Sequence, residues 1–241
     1  MDLSHADQPI REASTVCVLR SGHQGMEVLM VRRATSSAFV GGAYVFPGGA
    51  IDAVDRSDTA HRIFGGGETS AWWSAAVRET AEEAGIVIPA IAGQPALVRG
   101  IKGAHLLEML ESGGYAFDAS RFGYLSNWVT PKGQPRRFDT RFFVTEAPGG
   151  LEVAPDAAEV TEAIWVTPQD ALAHRKERTW MLVPPTVATL RLLAGFSEPD
   201  AVLAFAGAQS FVPRLEPRIV MDEGSLRILM PGDPGYEEAD R

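Results

Sequence analysis

The run Ala71–Ala84 constrains this chain more than any other, because its residues sort into two unlike faces only if it coils as an α-helix. With Glu79 set at 0° and about 100° per residue, Glu82 lies at about 300° and Glu83 at about 40°. On the same wheel Trp73, Val77, Ala81 and Ala84 fall between about 120° and 200°, an apolar stripe opposite the acids. Gly85 follows as a natural stop. Like charges three and four residues apart cost an isolated helix about 0.2–0.5 kcal/mol per pair, so a compensating cation is expected. Mg²⁺ or Mn²⁺ suits the position, since both prefer carboxylate and water oxygens and bridge to phosphates. The acid spacing alone is more commonly that of a solvated acidic face. Arg78 beside the first acid, and Pro47-Gly48-Gly49 upstream, favour the metal.

Around this helix the chain mixes element types. Thr15–Leu19 and Glu27–Val31 read as apolar strands of a hairpin, and Ala43–Phe46 as a third strand broken by Pro47-Gly48-Gly49. Aspartates and the Gly65-Gly66-Gly67 triplet predict a long loop from Ala50 to Ser70. Ala104–Glu111 predicts a helix, Tyr124–Val129 and Arg137–Thr145 two strands, and Ile164–Val166 another. Helices are expected at Pro168–Lys176 and Thr186–Leu193, and a hairpin where Arg218–Met221 and Leu226–Met230 flank Asp222-Glu223-Gly224. No βαβ rhythm emerges, which predicts an α+β (mixed) fold rather than a doubly wound parallel sheet. No repeat, low-complexity tract or Pro/Ser-rich linker divides residues 1–241, so they are read as one domain.

Charge and cysteine usage narrow the partners. Lys+Arg 22 against Asp+Glu 31 gives a net charge of −9, without the basic field that holds nucleic acid or an anionic membrane. If such a chain handles phosphates, a cation is needed. The one cysteine, Cys17, can close no intrachain disulfide, and its apolar surroundings place it in a core. The first 14 residues are polar and no run approaches the roughly 20 apolar residues of a membrane helix. A cytoplasmic location is the resulting expectation.

Arg78-Glu79-Thr80-Ala81-Glu82-Glu83-Ala84-Gly85-Ile86, following Pro47-Gly48-Gly49, resembles the Nudix hydrolase signature G-x5-E-x7-R-E-U-x-E-E-x-G-U, where U is a bulky aliphatic residue. The second half matches at Arg78, Glu79, Glu82, Glu83, Gly85 and Ile86, with Thr80 at an aliphatic position. The first half is stretched: 29 residues separate Gly49 from Arg78, where the signature places 14. Counted back from Arg78, the signature's first glutamate falls on Ser70, so that acid is missing in this register; Glu68 and Asp52 are the nearby substitutes.

The resemblance implies a Nudix fold, a mixed β-sheet sandwiched between α-helices, and metal-dependent hydrolysis of a nucleoside diphosphate linked to another moiety. It implies that Glu79, Glu82 and Glu83, with the carbonyl of Gly48, hold Mg²⁺ or Mn²⁺, that Arg78 orients Glu79, and that these four side chains form the catalytic set. A glutamate of this set is the first candidate for general base and Glu159 the second. The long insertion at about 50–70, with the runs SSAFVGGAYVFPGGAIDAVD and NWVTPKGQPRRFDTRFFV, resembles the branch that includes the peroxisomal acyl-coenzyme A diphosphatase. That likeness covers most of Ser14–Gly195 and leaves a family-specific extension at about 184–241. It implies cleavage of coenzyme A or acyl-CoA to 3′,5′-ADP and (acyl-)4′-phosphopantetheine. The alternatives are a hydrolase of ADP-ribose or NADH, or a non-catalytic Nudix-fold binding or regulatory module.

Arg137 and Arg141 are candidate substrate-binding residues, because arginines near a strand end grip phosphate through two N–H groups. Strand alternation puts Arg137, Asp139 and Arg141 on one face, which equally allows an ion-pair ladder exposed to solvent. His5, His23, His61, His105 and His174 show no metal-ligand spacing. The tryptophans read as core or interface aromatics, and the 50–70 insertion as a solvated loop. The apolar segment Ala201–Phe211, with the resemblance, suggests a homodimer.

Overall fold

The computed structural model describes residues 8–36, 40–88, 98–147, 151–155, 159–222 and 225–240. His5 and the Glu223-Gly224 turn lie outside them. The chain opens with a hairpin, β1 (Ile10–Gly22) and β2 (Gly25–Arg33), whose strands are longer at both ends than their apolar centres. β3 (Tyr44–Val45) and β4 (Gly48–Ala50) follow, then a 3₁₀ turn at Ala53–Arg56, α1 (Asp58–Phe64) and α2 (Ser70–Ala84). α3 (Gly103–Ser112), β5 (Gly123–Val129), β6 (Arg137–Glu146), β7 (Val160–Val166) and α4 (Pro168–Lys176) come next. The chain continues through α5 (Pro184–Leu193), α6 (Pro199–Gly207), β8 (Arg214–Leu215) and the hairpin β9 (Arg218–Asp222) and β10 (Ser225–Leu229).

One eight-stranded mixed sheet organises these elements in the order β3-β2-β1-β6-β5-β8, with β4 beside β1 and β7 beside β2. β6 runs parallel to β1 along its whole length, from Ile10↔Arg137 to Leu19↔Glu146. The other edge of β1 pairs with β2 at Leu19–Gly22 and with β4 at Ala13–Thr15. The hairpin strands therefore splay apart, and the β3–β4 segment fills the wedge, with the Val16 amide donating to the Pro47 carbonyl at 3.0 Å.

Alternation along β1 divides the core between two layers of helices. Cys17 and Leu19 join Val28, Met30 and Phe142 beneath α4, α5 and α6, while Val16 and Val18 join Leu29, Val31 and Phe143 beneath α2. Each such side chain, fully buried, contributes about 1.5–3 kcal/mol of transfer free energy. Burial also pushes the Cys17 thiol pKa up, in keeping with an inert core residue.

One expectation changes. The segment read as a solvated loop from Ala50 to Ser70 is largely folded. Ser57 caps α1 by accepting from the Ala60 amide at 3.2 Å, and Ala60, Ile63 and Phe64 bury against Val77, Ala81, Leu106 and Leu110. Their i, i+3, i+4 spacing is a helical signature that the flanking glycines and aspartates mask. The apolar segment Ala201–Phe211 is mostly α6, which turns Val202 and Ala206 into the core and leaves Phe205 and Phe211 exposed. No helix among the described residues is long and apolar enough to cross a membrane.

Candidate active site

The helix α2 ends at Gly85, whose left-handed backbone (φ 72°) stops it directly after the acids. The splay of β1 and β2 lays Gly48 and Gly49 across its acidic face. Glu83 accepts a hydrogen bond from the Gly48 amide at 3.0 Å. A Cβ on Gly49 would sit 2.4 Å from a Glu79 carboxylate oxygen, so only glycine lets strand and acid approach this closely. The face read as potentially solvated is thus covered, and Glu83 and Arg78 are each only 3% exposed.

Arg78 is the hub. Its Nη1 donates to Glu79 at 2.8 Å and to Glu82 at 3.4 Å, and its Nη2 reaches the Ala50 carbonyl at 3.2 Å. Its other partner is Asp55, fully buried, which accepts from Nε at 3.0 Å and Nη2 at 2.8 Å. Ser74 Oγ donates to the same carboxylate at 2.8 Å, and the Asp52 amide at 2.9 Å. Burial alone would lower the Arg78 pKa, but Asp55, Glu79 and Glu82 together raise it.

Asp55 was not among the candidates read from the sequence. Counted forward from Gly49, the glycine-to-acid step of the signature, six residues, ends on Asp55. The acid therefore stands before the extra residues, and counting back from Arg78 carried the register through them to Ser70. Neither substitute named from the sequence takes its place. Asp52 offers Asp55 its backbone amide, while its side chain lies 3.7 Å from Arg11.

The carboxylates outnumber their cation. Burial pushes Glu79 up to about 7, with Arg78 opposing and Glu82 reinforcing the rise. Burial likewise pushes Glu83 up to about 8, helped by Glu79 and opposed by the Gly48 amide and Arg33. Asp55, Glu79 and Glu82 surround Arg78, and Glu83 stands beside them against the Gly48 amide, an excess of negative charge that a hard divalent cation would offset. The donor set is all oxygen, which suits Mg²⁺ or Mn²⁺ rather than a softer metal. Among the described residues no three acid, histidine or cysteine side chains already converge on one point. The glutamates are instead turned onto protein donors: Glu79 onto Arg78, Glu82 onto the Gly103 amide at 2.8 Å and Glu83 onto Gly48. The contact Gly48 makes with the acids is through its amide.

The two candidate arginines of β6 part ways. Arg137 is 6% exposed and ion-paired with Glu216, and it donates to the Thr130 carbonyl at 3.1 Å, which leaves little of it for a ligand. The ladder does not form either, because Asp139 accepts from Asn127 at 3.0 Å and from Arg214 at 2.9 Å. Arg141 instead stacks over Trp72 of α2, its guanidinium carbon 3.7 Å from the ring centroid. Arg33, at the end of β2, is a further cation of the site, with its buried Nε hydrogen-bonded to no group among the described residues. Nothing in the sequence distinguishes it from Arg32. Glu159 lies within the field of Glu83 and is ion-paired with Lys102 at 2.8 Å. A cavity of about 460 Å³ opens beside Glu82, between Val98–Gly100 and Val153–Pro155.

A model of the NUDIX domain family matches residues 10–183 of this chain. Human acyl-coenzyme A diphosphatase NUDT19 is 27% identical over 275 residues, covering 89% of this chain and 73% of that protein. The acyl-coenzyme A diphosphatase NUDT19 of Gallus gallus is 26% identical over 284 residues, covering 88% and 73%. Among solved structures, a NUDIX hydrolase from Alicyclobacillus acidocaldarius is 31% identical and superposes with a TM-score of 0.71, covering 83% of this chain and 97% of that one.

Proposed function

The chain belongs to the NUDIX family and is a hydrolase of that family, and from this premise we propose that it cleaves coenzyme A or an acyl-CoA at the diphosphate. Water adds across the P–O–P anhydride: its oxygen bonds to one phosphorus, the bridging oxygen leaves with the other, and 3′,5′-ADP and an (acyl-)4′-phosphopantetheine result. The similarity to proteins named acyl-coenzyme A diphosphatase supports the choice of substrate. The observation that carries the chemistry is the set Asp55, Glu79 and Glu82 around Arg78, with Glu83 bonded to the Gly48 amide and Glu79 close against Gly49.

Glu79, Glu82, Glu83 and the Gly48 carbonyl would hold Mg²⁺ or Mn²⁺. When bound, such an ion screens the diphosphate, lowers the pKa of water and stabilises charge on the leaving oxygen. The chain's own contribution is preorganisation. Asp55 fixes the guanidinium of Arg78 through two N–H groups, and Arg78 fixes Glu79 and Glu82. Burial of Glu83 and Glu79 keeps the reacting region in a low dielectric, where each charge interaction strengthens. Arg33, within the field of Glu83, and Arg141, stacked on Trp72 farther along α2, supply cations for an anionic substrate. Exposed Phe205 and Phe211 are the surface through which a homodimer would form, checked by light scattering at micromolar protein.

A panel of diphosphates with Mg²⁺ tests the reading. Coenzyme A and acyl-CoA should turn over well ahead of ADP-ribose and NADH; turnover of ADP-ribose with none of acyl-CoA would remove the substrate assignment.

A further inference from the structure

One row of residues runs across the sheet on the face that α2 covers. Gly49 of β4 pairs with Ser14 of β1, Ser14 with Arg141 of β6, and Arg141 with Asn127 of β5. Paired residues share a face, so Ser14, Arg141 and Asn127 line up from the point where Gly49 meets the Glu79 carboxylate. Ser14 is fully buried and its Oγ bonds to no group of the described residues; Asn127 is 6% exposed and its Oδ1 is likewise without a partner among them. Buried polar atoms of this kind are rare and costly, and two of them bracket one cation.

Among the described residues Arg141 pairs with no carboxylate. Its guanidinium rests on Trp72 and faces Tyr124, 5.8 Å from that ring's centroid. The nearest acid along its own strand, Asp139, is taken by Asn127 Nδ2 and Arg214. Stacking holds the fork flat and leaves its N–H edges for a planar or tetrahedral anion. Two strand spacings, about 10 Å, separate Arg141 from Gly49, and Trp72 stands seven residues, about 10 Å of helix rise, before Glu79. Adjoining phosphates of a single anhydride do not span that distance.

We propose that Ser14, Arg141 and Asn127, with Trp72 as platform, form a subsite for a second anionic group of the substrate, a phosphate monoester separate from the diphosphate that is cut. The proposal rests on the diphosphatase reading and deepens it: in a coenzyme A substrate the group is the 3′-phosphate of the nucleotide. Arg141 then sets specificity through affinity, and it does so as a binding group remote from the reacting atoms.

The test compares coenzyme A with 3′-dephospho-coenzyme A, using the wild type, Arg141→Met and Arg141→Lys. The wild type should show a KM about tenfold lower for coenzyme A, the scale of one hydrogen-bonded charge pair. Arg141→Met should close that gap to within about twofold by raising the coenzyme A value, and Arg141→Lys should keep part of it. Equal wild-type KM values for the two substrates, or an Arg141→Met effect of the same factor on both, would overturn the subsite. A wild type that cleaves neither substrate refutes the diphosphatase reading instead. Titration with inorganic phosphate, followed by tryptophan emission, then decides the subsite on its own: a saturable change lost in Arg141→Met supports it, and no saturable change overturns it.

Discussion

Replacing Glu83 with glutamine separates the metal-site account from a purely structural one, because the two predict opposite changes in stability. Glu83 is 3% exposed and its carboxyl is pushed from 4.5 up to about 8 by burial and by Glu79. Each pH unit between those titration points is about 1.4 kcal/mol. Keeping this carboxyl in place therefore costs the metal-free protein about 3 kcal/mol at pH 7. Glutamine keeps a carbonyl for the Gly48 amide but brings a buried NH₂ whose desolvation costs about 1–3 kcal/mol. The net change is a gain of up to about 2 kcal/mol, or up to about 8 °C in Tm for a chain of this size. Melting in excess chelator should show Glu83→Gln above the wild type. Added Mg²⁺ should raise the wild type's Tm more than the variant's, while turnover falls about 100-fold or further. A variant that melts lower than the wild type in chelator, or one that keeps its turnover, would refute the reasoning.

Asp55→Asn leaves the buried Arg78 without its paired acid, and should cost about 3–5 kcal/mol by urea unfolding together with most of the activity; an unchanged midpoint would show that Asp55 does not position Arg78. Glu79 and Glu83 both titrate higher in the folded state than their ordinary 4.5, so their contribution is fully present below about pH 4.5 and is lost as pH rises through about 7 and about 8. Denaturant midpoints of the metal-free protein should accordingly fall from pH 5 to pH 8.5, and saturating Mg²⁺ should flatten the decline. Phe64→Ala should cost about 3–5 kcal/mol, as expected of a side chain that α1 packs against α2 and α3 and not of one on a solvated loop.

What the sequence made legible was local. The helix α2, its stop at Gly85 and the carboxylates on one face follow from periodicity and glycine chemistry, and the alternation in β6 separates its two faces correctly. Long-range placement was not legible. Whether Glu83 faces water or protein depends on β4, which the splay of β1 and β2 brings against α2 from 35 residues away. Arg137 is drawn from ligand duty by Glu216, 79 residues on, and Arg141 finds Trp72 only because the sheet and helix pack together. The wheel put Trp73 on the apolar stripe, yet Trp72 is the better buried of the two and Trp73 packs at the margin against Phe117. Asp55 and α1 were readable in principle, the first by counting from Gly49 and the second by the spacing of Ala60, Ile63 and Phe64, but glycine and aspartate on either side gave a stronger signal for loop.

Product analysis on an acyl-CoA bears most directly on the central claim. With Mg²⁺, the purified protein should release 3′,5′-ADP and the acyl-4′-phosphopantetheine in equal amounts, and chelator or Glu82→Gln should suppress both. Release of free fatty acid with an intact diphosphate, or equal yields of the two phosphates in chelator, would contradict it.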